Sequence, residues 1–192
     1  MNLIDAIKQS GKPFHVPDCM RDEFPKFLKE MGFQTGAEIG VFLGEFTEKL
    51  CQANLKMYGI DPWISFSGQG RGQMIQTNQD ESFRRASERL SSHDCTLIRK
   101  TSMDALNDFE PNSLDFVYID GDHRFKQVSE DIYEWYWKVR PGGIVSGDDY
   151  DLTSPSANNL ICQVRPVVDA FVETYQIKNF YVFDNSWMFF KP

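Results

Sequence analysis

The sequence predicts an α/β domain, a mostly parallel sheet covered by helices and closed by an antiparallel hairpin. Three observations carry this. Apolar strand patterns alternate with helical ones from residue 36 to residue 175, as repeated strand–helix–strand units do. Residues 114–119 are nearly continuous in apolar character, as expected of a strand buried on both faces. Two aromatic runs, 180–183 and 187–190, flank Asp184-Asn185-Ser186, which is a hairpin signal.

The elements follow in order. The segment 1–34 reads as helical, because Phe24, Phe27, Leu28 and Met31 keep i, i+3, i+4, i+7 spacing. Asp18 or Asp22 is its candidate cap and Gly32 its stop. A strand is expected over 36–41, a helix over 45–53 and a second strand over 55–61. Residues 62–77 are rich in Gly, Ser and Gln, with Trp63 and Phe66 embedded, and read as a long loop of the lid type. Asn78 and Glu81 resemble a capping box for a helix running to Leu90. Strands are then expected over 96–100 and 114–119. A helix over 124–139 keeps Phe125, Val128, Ile132, Trp135 and Val139 on one face. Pro141-Gly142-Gly143 ends it and a fifth strand starts at 144–146. A last helix over 163–175 precedes the hairpin. Its inner face carries Val164, Val167, Val168, Phe171 and Tyr175. The aromatic hairpin reads either as core or as the surface of a homodimer.

The 192 residues, 41% apolar, suffice for one domain with a core and are too few for two. The expected organisation is one domain over 1–192, with a helical segment 1–34 and a core 35–192. The formal charge of −8 argues against wholesale binding of nucleic acid. Arg84, Arg85 and Arg89 alternate with Glu81 and Glu88, as on a solvated helix face. No stretch approaches the roughly 20 apolar residues of a membrane span, and the first residues lack a secretory pattern. Cys19, Cys51, Cys95 and Cys162 are too widely spaced for a zinc site or disulfide framework. A reducing cytoplasm is the expected compartment.

In open α/β sheets ligands bind beyond the carboxyl ends of the strands. The first strand end reads Glu38-x-Gly40-x-x-x-Gly44-x-x-Thr47. Its glycines let a ligand approach the backbone, and the following helix offers its N–H groups. The second strand ends in Asp61, about 20 residues on, where a carboxylate accepts from a ribose diol. A nucleoside-containing cofactor follows. The spacing is not the GxGxxG of a pyrophosphate site, and no P-loop lysine is present. The fourth strand ends in Asp120-Gly121-Asp122-His123 and the fifth in Asp148-Asp149-Tyr150. Carboxylates gathered this closely need a positive neighbour, and a hard divalent cation such as Mg²⁺ on Asp120, Asp148 and Asp149 would supply it. Asp122 is also placed to cap the next helix. Negative charge beside His123 raises its basicity, making it the candidate general base; His15 and His93 carry no such setting.

Residues 37–47, AEIGVFLGEFT, resemble the first motif of class I S-adenosylmethionine-dependent methyltransferases, and Tyr58-Gly59-Ile60-Asp61 the second. Leu114 through His123, followed by Arg140-Pro141-Gly142-Gly143, resembles motifs four and five. The IDGDH form is similar to the small-molecule methyltransferases of family 24. The resemblance covers about residues 33–175. It implies a Rossmann-like, seven-stranded, mostly parallel sheet with helices on both faces. It implies S-adenosylmethionine as cofactor, with Glu38, Gly40 and Gly44 bordering its methionine part, Asp61 on the ribose and Ser102 near adenine; Thr47 and Asp120 belong to the same expected shell. The layout is also similar to the metal-dependent catechol and caffeoyl-coenzyme A O-methyltransferases. Those have Asp-Asn where Asp148-Asp149 stand, and a catalytic Lys where His123 stands. A macrocin-like sugar O-methyltransferase accommodates both differences.

The expected reaction is methyl transfer to a hydroxyl of a small-molecule acceptor, with Asp120 and His123 as catalytic groups and His123 taking the proton. Trp63, Phe66 and Tyr150 are candidate walls of the acceptor pocket, with ordinary packing the alternative. The rival is a nucleotide-sugar transferase using Asp120-Gly121-Asp122. A non-catalytic cofactor-binding protein and an NAD-dependent oxidoreductase rank below it.

Overall fold

The computed structural model describes residues 1–65, 76–151 and 162–192. In chain order the strands are β1 (Phe14–His15), β2 (Thr35–Ile39), β3 (Lys56–Ile60), β4 (Cys95–Ile98), β5 (Leu114–Ile119), β6 (Val139–Gly147), β7 (Phe180–Phe183) and β8 (Ser186–Phe190). The helices are α1 (Leu3–Ala6), α2 (Phe24–Glu30), α3 (Glu45–Gln52), α4 (Gln76–Leu90), α5 (Ser102–Ala105), α6 (Phe125–Tyr136) and α7 (Val164–Thr174).

Alternation along the strands decides how the sheet is covered. In β5, Val117 and Ile119 join Val128, Ile132 and Trp135 of α6 and Val168 of α7 in one core cluster. Phe116 and Tyr118 join Phe24 and Phe27 of α2, and Phe46 and Leu50 of α3, in the other. In β8, Trp187 and Phe189 go to the first cluster and Met188 to the second. The sheet therefore has a helix layer on each face.

The strand order is β1-β7-β8-β6-β5-β2-β3-β4. Every neighbouring pair is parallel except the two made by β8, with β6 and with β7. The chain runs outward from β2 to β3 and β4, then returns to pair β5 with the other side of β2. That reversal places the topological switch point at the carboxyl ends of β2 and β5, where a cleft opens in such sheets. The aromatic residues of the hairpin, from Phe180 to Phe183 and Trp187 to Phe189, are buried. They are core of this chain rather than an exposed dimer surface.

Several details depart from the sequence reading. Eight strands form the sheet among the described residues, not seven, because β1 adds to the edge at β7. The segment 1–34 is thus not helical throughout. Neither Asp18 nor Asp22 caps α2, since a 3-10 turn, Arg21–Glu23, runs straight into it; Asp22 instead pairs with Lys49 at 2.6 Å. Gly32 does end the helix, at φ +80°, with Phe33 N–H donating to Leu28 O as in a Schellman turn.

Asn78 lies inside α4, where its carbonyl accepts from Ser82 Oγ. Helix α6 stops at Tyr136, and Val139 already pairs with Leu114 in β6. Pro141-Gly142-Gly143 therefore lies within a strand, beside a register shift between Leu114 and Phe116. Bulges of this kind tolerate Pro and Gly. Phe125, expected on the inner face of α6, is 55% exposed.

Candidate active site

The first strand end is shaped by a close crossing of backbones. Gly40 N–H donates to Ile60 O and Asp120 N–H to Ile39 O, each at 2.8 Å, so the ends of β2, β3 and β5 are tied together. Gly40 sits at φ +91°, and a Cβ there would lie 2.2 Å from the Asp120 carbonyl. Only glycine fits. Gly44, at φ +76°, is the residue from which α3 starts.

Asp61, beyond β3, organises the loop that follows Gly40. Its Oδ2 accepts from Val41 N–H at 3.1 Å and Phe42 N–H at 3.0 Å, and its Oδ1 from Trp63 N–H at 2.8 Å. Phe42 and Trp63 both hold positive φ, 50° and 41°, an unfavourable state for bulky residues. The Asp61 carboxylate pins both. Burial raises its pKa above the usual range, opposed by those three amides.

Glu38 is 2% exposed. Thr47 Oγ1 donates to its Oε2 at 2.5 Å. Burial, opposed by Thr47 and aided by the nearby Asp120 charge, pushes Glu38 up to about 8. Ser102 starts α5 behind its cap Thr101, and its hydroxyl faces the carboxylate of Asp131 on α6, which it helps to keep ionised. Asp131 is buried, which pushes it up to about 7. Glu38, Gly40, Asp61, Ser102, Asp120 and Asp131 all line one cleft of about 640 Å³.

At the mouth of β5 and β6 the acids gather. His123 Nε2 lies 3.0 Å from Asp149 Oδ2 and 3.7 Å from Asp120 Oδ1. Asp149 takes φ +61°, and Asn185 Nδ2 donates to its other oxygen at 2.9 Å. Asp148 has different partners. Arg21, from the 3-10 turn before α2, donates Nη1 to Asp148 Oδ2 at 2.5 Å and Nη2 to Asp120 Oδ2 at 3.0 Å. Ser186 Oγ donates to Asp148 Oδ1 at 3.0 Å and lies 2.8 Å from Tyr118 Oη. Burial raises Asp148 above the usual carboxylate range, Arg21 pulls it down, and Asp120 and Asp149 add to the rise.

Of the residues expected to wall the acceptor pocket, Trp63 and Tyr150 are core. Trp63 is fully buried, packs on Phe83 and donates Nε1–H to Phe42 O. Tyr150 packs on Phe180 and donates to Asp169. Phe66 lies outside the described residues. The apolar lining instead includes Phe42, Phe46 and Ile64.

The family described as Methyltransferase domain, of the family 24 type, matches residues 37–150, more than half of the chain. The chain belongs to this family. An uncharacterized protein of Acanthamoeba polyphaga mimivirus is 26% identical over 167 residues, covering 79% of this chain and 68% of that protein. A Staphylococcus aureus structure, provisionally named a caffeoyl-CoA O-methyltransferase, superposes with a TM-score of 0.67 at 13% identity, covering 92% and 86% of the two chains. The N-methyltransferase NodS of Bradyrhizobium japonicum superposes at 0.58 with 15% identity, covering 90% and 94%. These two structures share the fold.

As an S-adenosylmethionine-dependent methyltransferase, the protein presents its strand-end residues to one cleft. In the metal set expected from the sequence, Asp120, Asp148 and Asp149, Arg21 already takes one oxygen of each of the first two. What converges instead is one ligand atom each from Asp120, His123 and Asp149, within 4.8 Å of one another. Asp122 also lines the cleft, and its carboxylate accepts from the Arg124 backbone N–H at 3.0 Å and from the Arg124 guanidinium. Both carboxylates of Asp120-Gly121-Asp122 are thus already paired with arginines, Arg21 and Arg124, which weighs against the nucleotide-sugar transferase.

Two residues of this methyltransferase site stand out only in three dimensions. Arg21 gives no sequence signal, being 99 and 127 residues from its partners. Asp131 gives a faint one. The positions 128, 131, 132 and 135 form the buried stripe of α6, and Asp131 is the polar member.

Proposed function

We propose that this chain transfers the methyl group of S-adenosylmethionine to a hydroxyl of a small-molecule acceptor, with His123 as general base. The observation that carries the reading is the placement of His123 beside Asp149 and Asp120, at the mouth of the cleft that Glu38, Gly40, Asp61 and Ser102 line.

S-adenosylmethionine, when bound, supplies an electrophilic methyl on a sulfonium. The chain does the rest. Gly40 leaves room along the backbone, Asp61 and Ser102 hold the nucleoside, and Glu38, held by the buried Thr47, borders the methionine part; Gly44 serves only to start α3. His123 takes the proton from the acceptor hydroxyl as the oxygen attacks. The imidazolium so formed is stabilised by Asp149 and Asp120. Holding acceptor and methyl donor at near-attack distance supplies the other large contribution.

The same proposal takes the acceptor to be a small molecule in the cytoplasm, neither nucleic acid nor membrane lipid. The net charge of −8 supports the first part. Among the described residues no helix is long and apolar enough to cross a membrane. A divalent ion held by Asp120, His123 and Asp149 is the second reading, favoured by their convergence; it would make His123 a ligand and remove it as the base.

Calorimetric titration with S-adenosylhomocysteine, with and without Mg²⁺, is the direct test. Micromolar binding is expected in both. No binding in either overturns the proposal and moves the nucleotide-sugar reading forward. Transfer of labelled methyl to a panel of hydroxyl and amine acceptors then decides the acceptor class.

A further inference from the structure

We propose that Arg21 is the resident cation of the acceptor site, standing where a divalent ion would bridge Asp120 and Asp148, so that methyl transfer by this chain needs no divalent metal. The inference rests on the methyltransferase reading and adds the charge arrangement of its acceptor side.

Three carboxylates crowd the ends of β5 and β6, and something positive must neutralise them. Arg21 does so with the geometry peculiar to guanidinium, a planar fork whose two terminal nitrogens reach two different carboxylates. Its Nη1 is 2.5 Å from Asp148 Oδ2 and its Nη2 is 3.0 Å from Asp120 Oδ2. The other Asp148 oxygen accepts from Ser186. A Mg²⁺ at this point needs those same oxygens at about 2.1 Å, in near-octahedral array, and would lie against a fixed positive charge.

The arginine is held rather than merely near. Its guanidinium carbon lies 4.0 Å from the centroid of the Phe46 ring and 5.0 Å from that of Tyr118, both favourable cation–π distances. Arg21 N–H donates to Asp184 Oδ2 at 3.3 Å. Asp22 next to it pairs with Lys49 on α3. Phe24, three residues on, is fully buried against Tyr118 and Phe183. Withdrawing the guanidinium to admit a metal would disturb this packing. Arg21 also lies outside residues 37–150 that match the family, so the cation is delivered by a segment outside the matched region.

Mn²⁺ titration followed by electron paramagnetic resonance tests the inference on the wild-type protein, Arg21→Met and Arg21→Met/Asp148→Asn. S-adenosylhomocysteine affinity is measured on the same samples. The wild type is expected to show no submillimolar Mn²⁺ site, and its turnover to survive EDTA. Arg21→Met is expected to gain a site roughly tenfold tighter or more, lost again in the double variant. A submillimolar Mn²⁺ site in the wild type, abolished by Asp120→Asn or Asp149→Asn, would overturn the proposal. So would an Arg21→Met protein that folds and gains no site. If circular dichroism shows Arg21→Met unfolded, the wild-type titration and the EDTA assay decide alone. Absence of S-adenosylhomocysteine binding in the wild type would instead count against the methyltransferase reading.

Discussion

His123 Nε2 and Asp149 Oδ2 lie 3.0 Å apart, and Asp149 makes this approach with its backbone in the left-handed region, at φ +61°. A non-glycine residue held there is uncommon, although aspartate tolerates it better than most. Strain of this kind tends to collect at functional sites. His123→Ala is expected to lower kcat by about 10²–10⁴-fold while leaving S-adenosylhomocysteine affinity unchanged. Asp149→Asn should give a smaller loss, since it weakens only the stabilisation of the imidazolium. Wild-type turnover in His123→Ala would remove His123 as the base.

Gly40 and Gly44 both take positive φ, but their surroundings differ, and so should their variants. A Cβ on Gly40 meets the backbone of Asp120 at 2.2 Å, which cannot yield without separating β2 from β5. A Cβ on Gly44 meets Leu90 Cδ1, the end of a flexible side chain, at 3.0 Å. Gly40→Ala is expected to lose more than about 3 kcal/mol of stability, and Gly44→Ala roughly 1–2. Denaturant melts of the two variants check the order. Equal losses would mean that conformational strain, not the close crossing, dominates at Gly40.

How much of this could be read from the chain depends on where each contact partner lies. Strand β5 is legible at both ends because it is buried on both faces and its apolar run stands out. The hairpin of β7 and β8 is legible because its turn residues are adjacent in sequence. Strand β1 is not. It is two residues long, too short to show alternation, and its partner β7 lies near the far end of the chain. The strand ends could be read as one cleft because the carboxyl-end rule needs only the order of elements. The partner of the acids could not, since Arg21 reaches Asp120 and Asp148 only through the tertiary fold. Trp63 and Tyr150 mislead for a related reason. An aromatic residue beside a site motif looks the same in sequence whether it lines the cleft or packs beneath it.

Asp61 serves two ends that one experiment can separate. It pins the backbone of Val41, Phe42 and Trp63, and it is proposed to hold the ribose. Asp61→Ala should weaken S-adenosylhomocysteine binding by about tenfold or more, the usual scale for lost hydrogen bonds to a charged group. Adenosine, which has the ribose and lacks the methionine part, should lose affinity by a similar factor. Unchanged affinity for both in a folded variant would confine Asp61 to its structural role.

Glu38 should make the stability of the ligand-free protein depend on pH, and the sign follows from its environment. Its ordinary pKa of 4.5 governs the unfolded chain, whereas burial raises it to about 8 in the fold. Between those values the folded state holds a proton that the unfolded state has released. The free energy of unfolding therefore falls as pH rises through the window. The stabilisation is fully present below about pH 4.5 and is lost by the time the pH passes about 8. Each tenfold difference in proton affinity between the two states is worth roughly 1.4 kcal/mol. Glu38→Gln keeps the shape and an acceptor for Thr47 but cannot ionise. Compared with the wild type by urea denaturation at pH 5, 6.5 and 8, it should flatten this part of the slope. The difference between the two proteins should be small at the acid end and grow with pH in favour of the variant. Asp131, raised to about 7 by burial, adds a slope of the same sign that the Glu38 variant leaves in place, so the profile should not become level. A wild-type slope unchanged by Glu38→Gln would show that Glu38 ionises in the fold as it does in water.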